Sequence, residues 1–406
     1  MRLPLPRSVM VSPIWALAIA VFAVGMDTFI VVGVLPEVAR DLDEPIAAVG
    51  LIASAYALPM ALLAPVFGPL SDRRGRRTAM VAGLTIFTIA ATISMLAPNL
   101  TILLIARGLN GVGSAIIMPA AYAYAGDLPV RRERDRAMGV LASAFPMATL
   151  LGMPLGTLAS MVAGWRAALA LVTVMSIVAL LLVRVACSSS GPRAEKPVGY
   201  LASYRSILTD RSGLVLLTVP LVWFIAPIGL FTYFAAFIHV TYDVPTTQAG
   251  LSLMVIGAVG AVASRVSGRM MGVIGARSAV LYAISAFGLA SVLMVQTAGS
   301  LPLSIAVMGL WASGTWFGMP AIQAIIAAHS DRLRGTMMAF NSSAINLAGV
   351  IGPALMGAII AGAGFEAAFR TGTLFAVGAF TLAWLVLPRG KHIEPDRPPM
   401  PEAVGD

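Results

Sequence analysis

The apolar residues of this 406-residue chain form long runs, and the charged residues are concentrated in the stretches between them. Most runs reach about 20 residues, the length that an α-helix needs to cross a hydrocarbon core of roughly 30 Å. Strands of a membrane barrel would be about ten residues long and would alternate in polarity. The pattern therefore predicts twelve membrane-spanning helices, with cores at 14–35, 47–67, 78–97, 100–125, 137–162, 167–186, 213–238, 249–266, 278–296, 301–328, 336–361 and 366–387.

The chain also repeats itself at an offset of about 200 residues. VFGPLSDRRGRR at 66–77 aligns with VSGRMMGVIGAR at 266–277, and Gly164 aligns with Gly364. Many transporters enclose their site between two such related halves. We therefore expect an all-α integral membrane protein with two pseudo-symmetric six-helix bundles: 1–186 and 213–388, joined by a linker at 187–212 and followed by a tail at 389–406. The other aligned pairs are Gly68/Gly268, Gly75/Gly275, Arg77/Arg277, Pro45/Pro245, Gly50/Gly250, Gly152/Gly352 and, one residue out of step, Pro119/Pro320.

Composition agrees with a membrane protein, because 59% of the residues are hydrophobic and only 11% are charged, against about 25% in a soluble domain. The net charge of +9 does not indicate nucleic-acid binding, since the basic residues cluster between the apolar runs. We expect the protein to lie in the inner or plasma membrane. By the positive-inside rule, these clusters place both termini and the linker on its cytoplasmic side.

The single cysteine, Cys187, excludes an intramolecular disulfide. The first run is long enough to span and lacks a convincing cleavage site, so we interpret it as a helix rather than a signal peptide. The two clusters in the first half are Arg73, Arg74, Arg76 and Arg77, predicted as a loop, and Arg131, Arg132, Arg134 and Arg136, predicted as a second loop.

The stretch GPLSDRRGRR at 68–77 resembles the signature between helices two and three of the major facilitator superfamily. Within that superfamily the chain is similar to the twelve-helix drug:proton antiporters of the arabinose-efflux and chloramphenicol-resistance type. The resemblance implies that the charges form a latch at the cytoplasmic surface, with Asp72 near the N-terminus of the eleventh helix, close to Gly335. Alternatively, the arginines only determine topology. The matching residues are Gly68, Leu70, Asp72, Arg73, Gly75, Arg76 and Arg77.

Three further stretches carry the resemblance. RGLNGVGSA at 107–115 is similar to the helix-four signature; its glycines do not have the GxGxxG spacing and no strand precedes them, so they do not predict a nucleotide site. GMPLGT at 152–157 resembles the antiporter signature of helix five, although it could be a packing motif with no bearing on transport direction. GMDTFIVVGVLPEVARDL at 25–42 resembles the first-helix signature, but Thr28 stands where glutamate is common. The motif residues are Gly108, Gly111 and Gly113 in the fourth segment, and Gly152, Pro154 and Gly156 in the fifth.

Asp27 is the one carboxylate well inside an apolar run, where a charge costs several kcal/mol and usually faces a cavity or a partner. At 1.5 Å per residue it lies roughly 12 Å from the outer end of its segment, and Arg107 lies roughly 10 Å into its own. Because the depths match, we expect the two side chains to interact directly or through water. Asp27 would then accept the transported proton and provide a site for a cationic substrate, with Arg107 coupling conformation to protonation. The alternative is a permanent ion pair that only fixes helix packing.

Other polar and aromatic residues give weaker signals. The histidines stand at segment ends or in the tail and predict no metal site, whereas Arg265 and Arg269 are expected to snorkel. Glu366 and Arg370 have the spacing of a local ion pair. Aromatic residues in the segments could line a central cavity, although packing is their commoner role. The histidines are His239, His329 and His392; the candidate aromatic residues are Tyr56, Tyr122, Phe145, Trp223, Phe224, Tyr233, Trp316 and Phe317.

These patterns together predict a secondary active exporter of small, partly hydrophobic molecules, driven by inward proton flow. The alternative is a specific exporter of a metabolite such as a sugar, a purine nucleoside or an amino acid. An enzyme is not expected, because neither HExxH nor paired intramembrane carboxylates occur; a non-transporting receptor would be expected to lose Asp27. The expected partners are a small-molecule substrate, protons and membrane lipids, with no nucleic acid, no metal and no cofactor beyond the proton gradient. We expect a monomer.

Overall fold

The computed structural model describes residues 12–188, 209–297, 299–330 and 333–388, without the side chains of 68, 69, 72–74 and 146. These ranges contain helices and no strand. The helices are α1 (Pro13–Asp41), α2 (Ile46–Arg74), α3 (Arg76–Leu96), α4 (Leu100–Gly126), α5 (Arg131–Ala163), α6 (Trp165–Ala186), α7 (Arg211–Tyr242), α8 (Thr246–Ser252), α9 (Met254–Ile274), α10 (Ala276–Gln296), α11 (Leu301–Ala328) and α12 (Arg334–Val386).

The number of membrane spans differs from the number of helices at two places. Only Leu253 separates α8 from α9, and the two together form one apolar span over Thr246–Ile274. The 53-residue α12 is about 80 Å long at 1.5 Å per residue, more than twice the thickness of a hydrocarbon core. Its backbone breaks at Gly364, which divides it into two spans. The fold is therefore the predicted all-helical membrane architecture. The linker at 187–212 and the tail at 389–406 lie mostly outside the described residues, so the domain boundaries stay predictions.

The 200-residue repeat is visible in the backbone. Six described residues have a positive φ, and they form three pairs at an offset of 200: Asp43 with Asp243, Gly75 with Gly275, and Gly164 with Gly364. The charged ends repeat too, since Arg77 donates to the carbonyl of Arg184 (2.8 Å) and Arg277 donates to that of Trp384 (2.6 Å). Both halves thus turn their helices at equivalent positions.

The arginine clusters are helical rather than loops, which corrects the sequence-based expectation. Helix α2 continues to Arg74 and α3 begins at Arg76, so Gly75 alone separates them. The second cluster begins α5 at Arg131. Helices can end and restart over one residue here because Gly75 adopts φ 87°, a conformation that costs glycine little.

Small residues let the helices of each half approach closely, as is usual in membranes. A Cβ on Gly111 of α4 would lie 2.2 Å from the carbonyl oxygen of Tyr56 on α2. A Cβ on Gly318 of α11 would lie 2.1 Å from the Trp223 ring on α7. Larger side chains at these positions would push the helices apart.

The two halves meet through α1, α2 and α5 on one side and α7, α8, α9 and α12 on the other. Several contacts lie toward the end of the bundle where α1 ends and α2 begins. The Tyr233 hydroxyl donates to the carbonyls of Pro353 (2.9 Å) and Ala47 (3.3 Å), and thereby ties α7 and α12 to the start of α2. Ser54 donates to the Val350 carbonyl at 2.8 Å. We call this set the closing contacts.

The break at Gly364 can be tested by alanine substitution. Gly364 has φ 80° and ψ 178°, a region that is essentially limited to glycine, so Gly364→Ala should destabilise the protein by about 1–3 kcal/mol. Gly362 is the control, because it is helical and a Cβ there meets nothing within 4 Å. Gly362→Ala should be neutral or stabilising by up to about 1 kcal/mol. Thermal unfolding of both purified variants would measure the difference; equal midpoints would contradict a glycine-specific turn at this position.

Candidate functional site: a buried ion pair beside a central cavity

Asp27 on α1 and Arg107 on α4 form an ion pair in the interior of the first half. Arg107 Nη1 donates to Asp27 Oδ1 at 2.6 Å, as their matching depths predicted. They are the only charged side chains among the buried residues that the structure describes, with exposed fractions of 0% and 1%. Neither helix could bury its charge alone, because an unpaired ion in a low-dielectric interior costs several kcal/mol.

A polar network surrounds the pair. Asn110 Nδ2 lies 3.3 and 3.4 Å from the two Asp27 oxygens. The Tyr56 hydroxyl donates to Ser114 at 2.9 Å, and the Arg107 guanidinium lies 4.8 Å from the centre of the Tyr56 ring. Side chains from three helices thus hold both charges in place.

Sequence reasoning missed Asn110 and Ser114. A signal was present, because Arg107, Asn110 and Ser114 have the i, i+3, i+7 spacing of one helix face. A polar stripe within an otherwise apolar segment indicates a buried partner elsewhere.

A cavity of about 220 Å³ lies between the two halves, next to the ion pair. Its lining is largely apolar and aromatic, which is typical of small-molecule sites. Arg107 belongs to the lining but Asp27 does not. The role of Asp27 as a site for a cationic substrate stays a prediction. The lining includes Thr28, Phe29, Tyr56, Arg107, Phe145, Phe224, Phe231, Thr232, Trp311, Thr315, Trp316 and Asn346.

Half of the aromatic candidates line this cavity: Tyr56, Phe145, Phe224 and Trp316. Tyr122, Trp223, Tyr233 and Phe317 do not. Tyr233 is part of the closing contacts, and Trp223 is buried against Gly318. Tyr122 is half-buried with its hydroxyl 3.5 Å from the Leu141 carbonyl, and Phe317 packs edge-on against Tyr282. Residue type and segment alone could not separate the lining from packing positions.

One aromatic residue that the sequence did not single out connects the halves. Phe29 of α1 lies 5.3 Å from Phe145 of α5, 5.9 Å from Phe231 of α7 and 6.4 Å from Trp316 of α11, between ring centres. Phe231 in turn stacks on Trp311 at 5.8 Å. We call these five rings the aromatic bridge; all of them line the cavity.

The glycine motifs pack helices around the site. Gly111 and Gly113 bring α4 against α2 and α3, whereas Gly108 has only a looser contact, 3.8 Å from the Ala55 carbonyl oxygen. On α5, a Cβ on Gly156 would lie 1.9 Å from Ile30 of α1, and one on Gly152 would lie 3.3 Å from Met26. Pro154 is buried between them. These contacts favour the packing interpretation of the helix-five motif; its bearing on transport direction stays a prediction.

The expected latch is only partly within the described residues. The side chains of Asp72 and Arg73 and the surroundings of Gly68 lie outside them, so a contact of Asp72 with the region of Gly335 stays a prediction. Arg76 binds inside its own half, where it donates to the Ala123 carbonyl and pairs with Asp127 at the end of α4.

The remaining polar candidates take part in local contacts. His329 Nε2 lies 2.8 Å from Asp210 Oδ2 and joins the end of α11 to the start of α7. Hydrogen bonds from Ser212 and His329 lower the pKa of Asp210. Glu366 and Arg370 form the exposed local pair that their spacing predicted. Arg265 and Arg269 lie on α9, and His392 is outside the described residues. Within the described ranges, no group of three or more His, Cys, Asp and Glu side chains lies together as a metal site.

The fold and the site define a multi-pass membrane protein with a cavity between two related helix bundles. The sequence profile described as Major Facilitator Superfamily matches residues 17–319 and 266–404. The chain belongs to this superfamily, and membrane transport follows from that membership.

Proteins of similar sequence and a solved structure of similar fold are consistent with this membership. An uncharacterized MFS-type transporter of Bacillus subtilis, YwfA, is 27% identical over 359 residues, which cover 87% of this chain and 86% of YwfA. The multidrug transporter protein MdtP of Bacillus subtilis is 35% identical over 143 residues, 35% of this chain and 26% of MdtP. A crystal structure of a mutant of the nucleoside transporter NupG superposes with a TM-score of 0.77 at 11% identity, covering 92% of this chain and 99% of NupG. At that identity the superposition supports the fold alone.

The ion pair should reveal itself in a double-mutant cycle. Asp27→Asn or Arg107→Gln alone leaves one buried charge without its partner and should cost about 3–5 kcal/mol of unfolding free energy. The double variant should recover a large part of that loss, because both charges are gone. The free energies can be measured by unfolding the purified protein in mixed micelles.

The exposed pair Glu366–Arg370 provides the control for this cycle. Its coupling energy should be within about 0.5 kcal/mol of zero. A similarly small coupling energy for Asp27 and Arg107 would show that the pair does not stabilise the first half.

Proposed function

We propose that this protein exports small, partly hydrophobic compounds by alternating access, in exchange for protons. The observation that carries the proposal is the buried Asp27–Arg107 pair, whose arginine lines a cavity between the two halves. A titratable carboxylate inside a membrane helix is costly, and such residues mark ion or proton pathways. In this proposal Arg107 belongs both to the pair that binds the proton and to the lining of the cavity that holds the substrate.

Coupling follows from the charges of the pair. With Asp27 ionised, the carboxylate holds Arg107 Nη1 and fixes the guanidinium against the cavity wall. Protonation of Asp27 removes this attraction. The positive charge of Arg107 then has no opposite charge beside it and is surrounded only by Asn110, Tyr56 and the cavity. Because an uncompensated charge in a low-dielectric interior is unfavourable, protonation favours a rearrangement of Arg107 and its wall. Substrate and proton would thus bind best to different arrangements of the Arg107 side chain, as the exchange of one for the other requires.

The direction of access rests on topology. The positive-inside rule places the arginine clusters at the junction of α2 with α3 and at the start of α5 in the cytoplasm. The closing contacts would then lie toward the outer surface, where Tyr233 and Ser54 bind main-chain carbonyls of the opposite half. Opening requires breaking these few bonds and separating helices that pack through small residues.

The character of the cavity supports a drug-like substrate over a sugar. Aromatic and aliphatic side chains dominate its lining, whereas a polyol site needs many aligned polar groups. The partial similarity to MdtP agrees with this assignment. A nucleoside or other metabolite with a large apolar face is the second candidate, and the fold shared with NupG is compatible with it.

An accumulation assay would first identify a substrate. Cells of an efflux-deficient bacterium that express the protein should accumulate less of at least one compound from a panel of antibiotics and metabolites. An uncoupler should abolish the difference. Reduced accumulation of metabolites alone, with every antibiotic unaffected, would favour the second candidate.

The coupling role of Asp27 can then be tested in vesicles with the compound so identified. Asp27→Asn should abolish accumulation driven by a pH gradient, because amide side chains do not titrate, while exchange of labelled for unlabelled substrate without a gradient should persist. Glu366→Gln, which neutralises an exposed carboxylate, is the control and should behave as wild type. Full pH-driven transport by Asp27→Asn would exclude the coupling role.

A further inference from the structure

Asn110 of α4 is buried beside the ion pair with only one half of its amide in use. Its Nδ2 lies between the two carboxylate oxygens of Asp27, 3.3 Å from Oδ1 and 3.4 Å from Oδ2. Its Oδ1 has no hydrogen-bond donor among the described residues, and the side chain is fully buried, so no donor from solvent reaches it. Because a buried acceptor without a partner is costly, a second arrangement that uses this oxygen is favoured.

The two carboxylate oxygens of Asp27 have different surroundings. Oδ1 accepts from Arg107 Nη1 at 2.6 Å, a short, charge-assisted hydrogen bond. Among the hydrogen bonds of the described residues, Oδ2 has only the long contact with Asn110 Nδ2. Since Nη1 already occupies Oδ1, Oδ2 is the oxygen that can take a proton, and its O–H would then face the Asn110 amide.

An amide side chain can bind a carboxyl group in either protonation state. Its NH₂ group donates to a carboxylate, and its oxygen accepts from the O–H of a protonated carboxyl. The two ends of the amide are so similar in size that a half-turn about the last side-chain bond exchanges them within the same packing. In Asn110 this half-turn would replace the donor beside Asp27 Oδ2 with the oxygen that has no partner in the ionised state.

No other hydrogen-bond partner of Asp27 among the described residues offers this choice. The charged and titratable side chains that face Asp27 are Arg107 of α4 and Tyr56 of α2. Arg107 can only donate, and the Tyr56 hydroxyl donates to Ser114 instead. Helices α5, α6, α7 and α8 also pack against α1, and none of their described ionisable side chains acts on Asp27. Of the described side chains bonded to Asp27, Asn110 is therefore the one that can accept from its protonated form.

We propose that Asn110 holds Asp27 in both protonation states by a half-turn of its amide: Nδ2 donates to the carboxylate, and Oδ1 accepts from the protonated carboxyl. Asn110 is thus a positioning residue of the proton site. The inference rests on the proposed function and adds the group that keeps the protonated carboxyl hydrogen-bonded while Arg107 rearranges. Without this acceptor, the O–H of a neutral Asp27 would itself be buried without a partner, which opposes proton binding.

Infrared difference spectra of the purified full-length protein in detergent micelles, recorded as the pH is lowered, test this role. The chain has four asparagines, Asn99, Asn110, Asn341 and Asn346, so asparagine with carbon-13 in its side-chain amide gives few labelled bands. We expect a carboxyl C=O band that is absent from Asp27→Asn. At the same midpoint, one labelled amide band should move to lower frequency, because its oxygen gains a hydrogen bond. The Asn341 Oδ1, which also lacks a partner among the described residues, is the internal control, and its band should not move.

The variant Asn110→Leu removes both ends of the amide and separates this role from packing. Its carboxyl band should lie at higher frequency than that of the wild type, because the O–H has lost its acceptor. Asn99→Ser is the control: Asn99 is exposed and caps α4 by accepting from the Ile102 backbone N–H at 3.0 Å, which serine can also do. Its carboxyl band should match the wild type. Labelled amide bands that stay in place while the carboxyl titrates, or a wild-type carboxyl band in Asn110→Leu, would overturn the proposal.

The outcomes separate this inference from the proposed function. The expected band changes without proton-driven transport would contradict the function and retain the role of Asn110. Proton-driven transport together with a carboxyl band that is unchanged in Asn110→Leu would contradict the inference alone. A wild type without the carboxyl band at any pH at which it stays folded would contradict both, since Asp27 then takes up no proton. If Asn110→Leu does not fold, the labelled wild type decides.

Discussion

The arrangement of the first half depends on one buried contact, the ion pair between Asp27 and Arg107. Two charges in a membrane interior are tolerated only when each satisfies the other and neighbouring groups satisfy the rest. Asn110 meets this demand for the carboxylate, and the Tyr56 ring lies beside the guanidinium. The close approach of α4 to α2, which Gly111 permits, brings these groups together. The packing motif and the charge site are therefore parts of one structure.

The repeat explains how a symmetric scaffold carries an asymmetric site. Glycines at equivalent positions turn the helices of both halves in the same way, as Gly164 and Gly364 illustrate. The positions that correspond to Asp27 and Arg107 are Pro227 and Val307, so the second half has no such pair. That half instead contributes the aromatic residues Phe231, Trp311 and Trp316 to the lining of the cavity.

Hydropathy, periodicity and depth along a helix were enough to predict several features from the sequence alone. The span count and the Asp27–Arg107 contact are among them, because each depends on position along a helix of known rise. Phe29 and Trp311 were not predicted, and Trp223 and Tyr233 were named as candidates although the structure assigns them to packing. Which side of an apolar helix faces a cavity depends on how the neighbouring helices pack. The sequence of a uniformly apolar segment does not indicate that side. The arginine clusters were misassigned to loops because charge predicts exposure but not backbone conformation.

Exchange requires that proton and substrate bind to competing arrangements of the Asp27–Arg107 pair. The most direct test is to measure proton release on substrate binding, with purified protein in weakly buffered solution and a pH indicator, over a series of pH values. We expect that the wild type releases protons at acidic pH, that the release declines as Asp27 becomes ionised before binding, and that Asp27→Asn releases none. Equal release from Asp27→Asn, or proton uptake by the wild type, would contradict competition at this pair.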